Sequence, residues 1–301
     1  MISSTDACKE SSIDHWETMA HMLMILSYIQ ARELLEARDR GRVVVETSPD
    51  LGISSVSAEL GLDGVSFASG ERLDWPMLEK IRQDLMKCYA VSAQGIQPVQ
   101  RFSEKTNRLC SLLPTTGAPS MLIAGFVMHR IKEIDPWQHA QRMVAALAPV
   151  RGQVLDTATG LGYTAILAAR EAEQVTTIEL DPGVQDIAQM NPWSRELFTN
   201  PRITRLMGDA HEVVLGLADK SFDYIMHDPP TLKLAGDLYS SAFYRELYRV
   251  LSRGGRIFHY IGDPGGKAGG NFTHGVVQRL RDAGFARVVR RAEAHGVVAY
   301  K

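Results

Sequence analysis

Cysteine is scarce in this chain of 301 residues: Cys8, Cys88 and Cys110 lie far apart, and none forms a CxxC pair. That spacing argues against a zinc ribbon and a disulfide framework and fits reduced, cytoplasmic thiols. No HExxH or facial-triad spacing gathers the histidines, so no metal is expected. No GxxxxGK[ST] segment occurs either, which removes the P-loop proteins for want of the phosphate-holding lysine. The apolar run "MAHMLMILSYI", Met19 to Ile29, is far shorter than the roughly 20 residues of a membrane span and contains His21 and Ser27. Asp6, Lys9 and Glu10 precede any apolar run, unlike a signal peptide. Charge of one sign is not in excess: Lys+Arg 33 against Asp+Glu 35 give a net −2, with no global pull toward nucleic acid or membrane.

What is present is ordinary globular composition, 45% apolar and 23% charged. The length suits one large domain or two ordinary ones. Residues 13–38 read as one helix, with Ser12 or Asp14 as cap and a polar end before Gly41. Its Met19–Ile29 stretch is apolar nearly all round, needs burial, and is a candidate homodimer contact. Short β-rich runs around turn signals come next, broken by a short helix that Asp74 and Pro76 start. From Asp135 the pattern turns helical and then alternates. Strand "QVLDT" precedes helix "TAILAAREA"; strand "VTTIEL" precedes helix "PGVQDIAQM". "ITRLM", "FDYIMH" and "RIFHYI" are each followed by a helical stretch. Such alternation implies right-handed crossovers and a mostly parallel sheet. The closing pair "ARVVRRA" and "GVVAYK" has no helix between its members, so one of them is expected to be antiparallel. The expected division is a helical extension over 1–41, a small β-rich domain over 42–134, and an α/β domain over 135–301.

An open α/β sheet binds ligands beyond the carboxyl ends of its strands. Asp156 ends the first strand of the alternating region, and Gly160 and Gly162 come after it in "LDTATGLGYTAI". Those glycines allow a tight turn and close backbone approach, but their spacing is not the GxGxxG of dinucleotide binding. Glu179 ends the second strand, about where an acid accepts both hydroxyls of a ribose and repels a 2′-phosphate. Asp209, in "GDAH", ends the third and suits an exocyclic amine. Three acids on three successive strand tips suit a ligand with a cation, a ribose diol and an adenine.

The series Asp156-x-x-x-Gly160-x-Gly162, Glu179, Gly208-Asp209-Ala210 and Asp228-Pro229-Pro230 resembles the class I S-adenosylmethionine-dependent methyltransferases. "DTATGLGYTAI", "NPWSREL", "HDPP", "LAGDLYSSAFYRELYRVLSRGGRIFHY" and "MHRIKEIDPW" together resemble a group of predicted archaeal methyltransferases of unassigned substrate, over residues 43–301. One departure is Ala158, which stands where many members have the first glycine. The resemblance implies a Rossmann-like seven-stranded α/β sheet in the order 3-2-1-4-5-7-6, behind the β-rich domain and the leading helix. It also implies S-adenosylmethionine as cofactor. Asp156, Thr157, Gly160, Gly162, Tyr163 and Thr164 would hold the methionine part, with Asp156 facing its ammonium. Glu179 and Leu180 would bind the ribose, and Asp209 with the Ala210 N–H the adenine.

Asp228-Pro229-Pro230 is similar to the [DN]PP[YF] motif of amino-methylating enzymes, so Asp228 and the adjacent His227 are the expected catalytic groups. Thr231 replaces the aromatic that would stack on a flipped base, which favours a small-molecule acceptor, methylated at nitrogen, over a nucleic acid. Nucleic acid is not excluded; the Arg279–Arg291 cluster reads as a solvated helix face. His129, Arg130, Asn191, Trp193, Tyr239 and Tyr244 are the expected acceptor-binding residues, and the glycine-rich "IGDPGGKAGGN" a candidate lid. "LAGDLYSSAFYREL" also resembles the aminopropyltransferases, the spermidine synthases. Aligned on Leu238-Tyr239, His227 and Pro230 fall where that family has two acids, and the loop after Asp156 lacks its Gly-Gly-Gly-Asp-Gly run. Aminopropyl transfer and RNA methylation are the alternatives; a non-catalytic cofactor-binding subunit is the third.

Overall fold

The structure, a computed structural model, describes residues 24–92, 94–262 and 269–301. The chain forms two compact units. The first holds the described residues up to Gln100, together with Ser111–Pro119 and Gln189–Trp193. The second holds Arg101–Cys110, Ser120–Ala188 and Ser194–Lys301. These limits differ from the expected breaks after residues 41 and 134, because backbone pairing groups the segments otherwise. Ala124 N–H donates to Leu109 O and Met128 N–H to Met121 O, so 101–110 and 120–128 are bound to one another inside the second unit.

Of the helix expected over 13–38, residues 13–23 lie outside the described residues, and among those described the helix begins at Tyr28. Met24–Leu26 is a strand, antiparallel to Tyr89–Ser92. Ser27 then caps the helix Tyr28–Asp39: its Oγ accepts from Ile29 N–H, and Gln30 Oε1 accepts from Ser27 N–H. This capping box fixes the start, because it satisfies donors that a helix running through Ser27 would have used internally. Met24 and Leu26 are buried in the unit's own core and Ile25 is fully buried, so this part of the apolar run is not a dimer surface. The part before Met24 lies outside the described residues. The helix and its neighbour Trp75–Gln83, capped by Asp74, share a core with a four-stranded antiparallel meander, through Leu34, Ala58, Val65, Leu73, Leu78 and Ile81.

The second unit is built on a seven-stranded mixed sheet. Its strands in chain order are β1 (Gln153–Asp156), β2 (Gln174–Glu179), β3 (Ile203–Met207), β4 (Phe222–His227), β5 (Leu251–Tyr260), β6 (Arg287–Arg291) and β7 (Gly296–Tyr300). Across the sheet they lie β3-β2-β1-β4-β5-β7-β6. β1 to β5 are parallel, and β7 is antiparallel to both its neighbours. Helices cover both faces of such a sheet, and its central strands accordingly have buried apolar middles, as in Val154-Leu155 and Ile225-Met226. One covering helix, Ser241–Val250, puts Phe243, Tyr244, Leu247 and Val250 on its buried stripe. Burying a side chain such as Phe243 contributes about 1.5–3 kcal/mol. Most of a smaller four-stranded sheet, formed by Gln100–Ser103, Arg108–Leu113, Ser120–Ile123 and Phe126–Val127, belongs to this unit too. Among the described residues no helix is long and apolar enough to cross a membrane.

Candidate active site

A cavity of about 240 Å³ opens beyond the carboxyl ends of β1 to β4. The loop after β1 supplies Thr157, Ala158, Thr159 and Gly160; the next helix supplies Tyr163 and Thr164. The tip of β2 supplies Glu179, Leu180 and Asp181, that of β3 Gly208, Asp209 and Ala210, and that of β4 Asp228, Pro229 and Pro230. The opposite wall is the small sheet with the segment just after its last strand, through Arg108, Met121, Ile123, Met128 and His129.

Asp156 is not in the wall. It is 1% exposed, and its oxygens each take a buried hydroxyl: Thr177 Oγ1 donates to Oδ2 at 2.6 Å and Thr164 Oγ1 to Oδ1 at 3.1 Å. Burial pushes its carboxyl up to about 7, against the lowering effect of those hydroxyls. In this structure Asp156 braces Thr164 and Thr177 from inside the fold and does not line the cavity, where a contact with a ligand's ammonium was expected.

Glu179 does face the cavity. Gly160 N–H donates to its Oε2 at 2.9 Å and Asp181 N–H to its Oε1 at 3.0 Å. Each oxygen keeps a lone pair for a ligand hydroxyl, and burial raises the carboxyl to about 7. Gly160 has φ +53°, and a Cβ built there meets no atom within 4 Å, so the loop leaves open space above itself. Asp209 caps the turn after β3 through one oxygen, with His211 N–H donating to Oδ1 at 2.9 Å, and no hydrogen bond among the described residues reaches its other oxygen. Two hydroxyl-accepting oxygens, an acid beside Ala210 and open backbone at Gly160 fit a nucleoside.

Asp228 is half-buried, and no hydrogen bond reaches its carboxylate among the described residues. Burial first, and the Asp156 charge second, push its carboxyl up to about 7. Its neighbour His227 behaves differently from expectation. It is fully buried, and Leu238 O lies 3.0 Å from Nε2. A carbonyl only accepts, so Nε2 carries the ring proton and Nδ1 accepts the Thr157 hydroxyl at 2.7 Å. Burial lowers the ring to about 3, so it stays neutral. Both nitrogens are committed, and the ring does not line the cavity: His227 is a brace, not a proton acceptor for a substrate. Tyr239 likewise donates its hydroxyl toward Pro230 O at 2.9 Å and Pro229 O at 3.3 Å, holding the Pro-Pro turn.

Of the expected acceptor-binding residues, His129 lines the cavity. Its Nδ1 lies 3.1 Å from Ser120 Oγ, and burial lowers it to about 4. Arg130 is half-buried outside the lining. Tyr244 is fully buried under the sheet, its hydroxyl 2.7 Å from His259 Nε2, because it falls on the apolar stripe of its helix. Asn191 and Trp193 belong to the first unit and bond within it: Trp193 N–H donates to Asn191 Oδ1, and the indole N–H to Leu51 O at 3.1 Å. The glycine-rich candidate lid lies for the most part outside the described residues. Asp181, Thr177, Arg108 and Asp237 were not expected. For Asp181 a signal existed, an acid directly before Pro182 at a helix start; for the others the sequence carries none. Among the described residues no group of acids, cysteines and histidines is placed to hold a metal.

Residues 155–259 match a family described as a methyltransferase domain. Over 286 residues the chain is 37% identical to the uncharacterized protein MJ1233 of Methanocaldococcus jannaschii, covering 93% of this chain and 97% of that one. Over 139 residues it is 29% identical to the polyamine aminopropyltransferase of Mycobacterium tuberculosis, covering 44% of this chain and 26% of the other. In fold it is similar to a solved spermidine synthase in complex with the transition-state analogue AdoDATO, with TM-score 0.56 and 19% identity over 67% of this chain and 71% of that one. The chain belongs to one family with the archaeal protein, and its residues 155–259 carry a methyltransferase domain.

Proposed function

We propose that the protein binds S-adenosylmethionine and methylates an amine nitrogen of a small-molecule acceptor. The observation that carries this reading is the convergence of Glu179, Asp209 and Asp228, one from each tip of β2, β3 and β4, on a single cavity. Glu179 would accept the ribose hydroxyls, Asp209 and the Ala210 backbone would take the adenine, and the Thr157–Gly162 loop would lie along the methionine part. The cofactor supplies a methyl group already activated on a sulfonium. The protein's task is then alignment, and the transfer needs little covalent help. Asp228 has an uncommitted carboxylate with affinity for a proton near neutrality, as a group that receives an amine proton requires. The surplus of carboxylates in the lining also favours cationic ligands.

The acidic lining and the aminopropyltransferase relatives favour a second reading, transfer of an aminopropyl group. Against it stand His227, which is buried and neutral, and Pro230, at the positions of that family's two acids.

Calorimetry with S-adenosylmethionine and with its decarboxylated form separates the two. The first reading expects tighter binding of the intact amino acid, loss of binding in Glu179→Ala, and lost turnover with retained cofactor binding in Asp228→Asn. Absence of S-adenosylmethionine binding overturns it.

A further inference from the structure

Arg108 is the one Lys or Arg among the described residues lining the cavity, beside Glu179, Asp181, Asp209, Asp228 and Asp237. Among the described residues no hydrogen bond or ion pair holds its guanidinium, although carboxylates share its cavity. Asp181 is already committed: Oδ2 takes the Thr106 hydroxyl at 2.6 Å and Oδ1 the Gly183 N–H at 2.8 Å. That latch also fixes the turn from which Arg108 projects. Ser103 Oγ accepts from Thr106 N–H within the turn, and Asn107 takes the left-handed conformation at φ +53° that tightens it. The same strand face carries Cys110, which feels the Asp181 and Glu179 charges as well as that of Arg108. A cation is thus held on a fixed turn, against an acidic cavity, without being neutralised by the protein.

An arginine presents several N–H donors in a rigid plane that matches a carboxylate bidentately. We propose that Arg108 binds the carboxylate of a molecule occupying this cavity. The inference rests on the methyltransferase reading and sharpens it: the cavity selects ligands that join a cation to a carboxylate. Two sources have that chemistry, the amino-acid end of the cofactor and an acceptor that is itself amino-acid-like. A decarboxylated cofactor has no use for this arginine, so the residue also bears on the choice between methyl and aminopropyl transfer.

The test uses the full chain as wild type, Arg108→Gln and Arg108→Lys, with folding checked by circular dichroism. Each is titrated calorimetrically with S-adenosylmethionine and its decarboxylated form, and then with glycine after saturation with S-adenosylhomocysteine. If the carboxylate is the cofactor's, the wild type prefers the intact form by about tenfold or more. Arg108→Gln then abolishes the preference and Arg108→Lys keeps part of it. If the carboxylate is the acceptor's, the preference is unchanged in Arg108→Gln, while glycine binds the wild type and not the variant. A variant that keeps both the wild-type preference and glycine binding overturns the proposal, as does a wild type showing neither. If no nucleoside binds at all, the methyltransferase reading falls. Acetate titrated into the free protein, followed by the Arg108 Nε–H resonance, then decides the arginine's role separately: movement of that resonance upholds it and constancy overturns it.

Discussion

The Thr177 hydroxyl gives its only proton to Asp156 Oδ2 at 2.6 Å, and so must accept from Thr159 Oγ1, also 2.6 Å away. A directed chain of hydroxyls therefore runs from the loop after β1, through β2, to the buried acid at the tip of β1. Thr177→Val breaks it twice: Asp156 loses one donor, and the Thr159 hydroxyl loses its acceptor. Unpaired buried polar groups cost about 1–3 kcal/mol each. The expected result is an unfolding free energy lowered by about that much per group, seen as a lower urea midpoint at unchanged m-value, with Thr177→Ser close to wild type.

The raised carboxyls set a pH dependence of known sign. Asp228 and Asp156 are driven up from the ordinary carboxylate range to about 7. In the folded state they hold protons that the unfolded chain releases near pH 4. Their favourable contribution is complete below the unfolded value, and it is lost as pH rises through about 7. Asp228→Asn removes one such loss, so the variant is expected to gain stability over wild type between pH 4 and 7 and to hold that gain above. A gain of about 1–3 kcal/mol at pH 8 is expected, judged from the cost of burying an unpaired charge in a half-open site. Thermal unfolding across this range reads the difference directly.

Cation binding draws on the raised carboxyls that line the cavity, Asp228 and Glu179. A ligand that favours the ionised carboxylates expels their protons, so S-adenosylmethionine binding at pH 6.5 is expected to release protons. The calorimetric enthalpy should then vary with the ionisation enthalpy of the buffer, less steeply in Asp228→Asn.

Tyr239 holds the carbonyls of Pro229 and Pro230, and His227, directly before Asp228, ties Thr157 to Leu238 O. His227→Asn keeps an acceptor for Thr157 and loses the reach to Leu238 O, while Tyr239→Phe frees the proline carbonyls. In both variants the amides of Leu238 and Ser240, which close the short turn there, are expected to exchange at least several-fold faster than in wild type. Amide exchange by mass spectrometry checks this, and the remainder of the sheet should exchange as before.

Two glycines of one loop should answer differently to alanine. At Gly162, φ is +76° and a Cβ would lie 2.7 Å from Leu197 Cδ2 and 2.9 Å from Cδ1. Backbone strain and overpacking together are expected to cost about 2–5 kcal/mol in Gly162→Ala. At Gly160 the φ of +53° is strained for alanine but nothing obstructs the methyl, so Gly160→Ala should cost about 1–2 kcal/mol. Its methyl group points into the open space of the cavity loop, and nucleoside affinity should fall there by tenfold or more.

The second unit was largely legible because its parallel strands are short apolar runs ending in acids and glycines, each followed by a helix-period stretch. Glu179, Asp209 and Asp228 could be placed at the cavity for that reason: a strand tip is a local fact. Asp156 could not, since its surroundings depend on Thr164 and Thr177, brought in from the next helix and the next strand. Tyr244 is a core residue whose signal was present in the sequence. With Phe243, Leu247 and Val250 it makes a helical stripe, and such a stripe is core rather than an acceptor site. Met24–Leu26 shows the limit of periodicity, because three apolar residues fit a strand as well as a helix. The capping pair Ser27 and Gln30 was the better guide. Arg108 carries no local signal at all, as its position comes from strand pairing and the Thr106–Asp181 latch.

The interleaving of the two units has a consequence for anyone who would cut this molecule. The chain passes from one unit to the other near residues 100, 110, 119, 188 and 193. A fragment starting at Asp135 would keep every strand of the large sheet, yet it would be stripped of Arg108, Met121, Ile123, Met128 and His129, leaving half a vessel. A cut at any of these passages separates segments that belong to one unit, so a ligand-competent piece is to be sought in the intact chain.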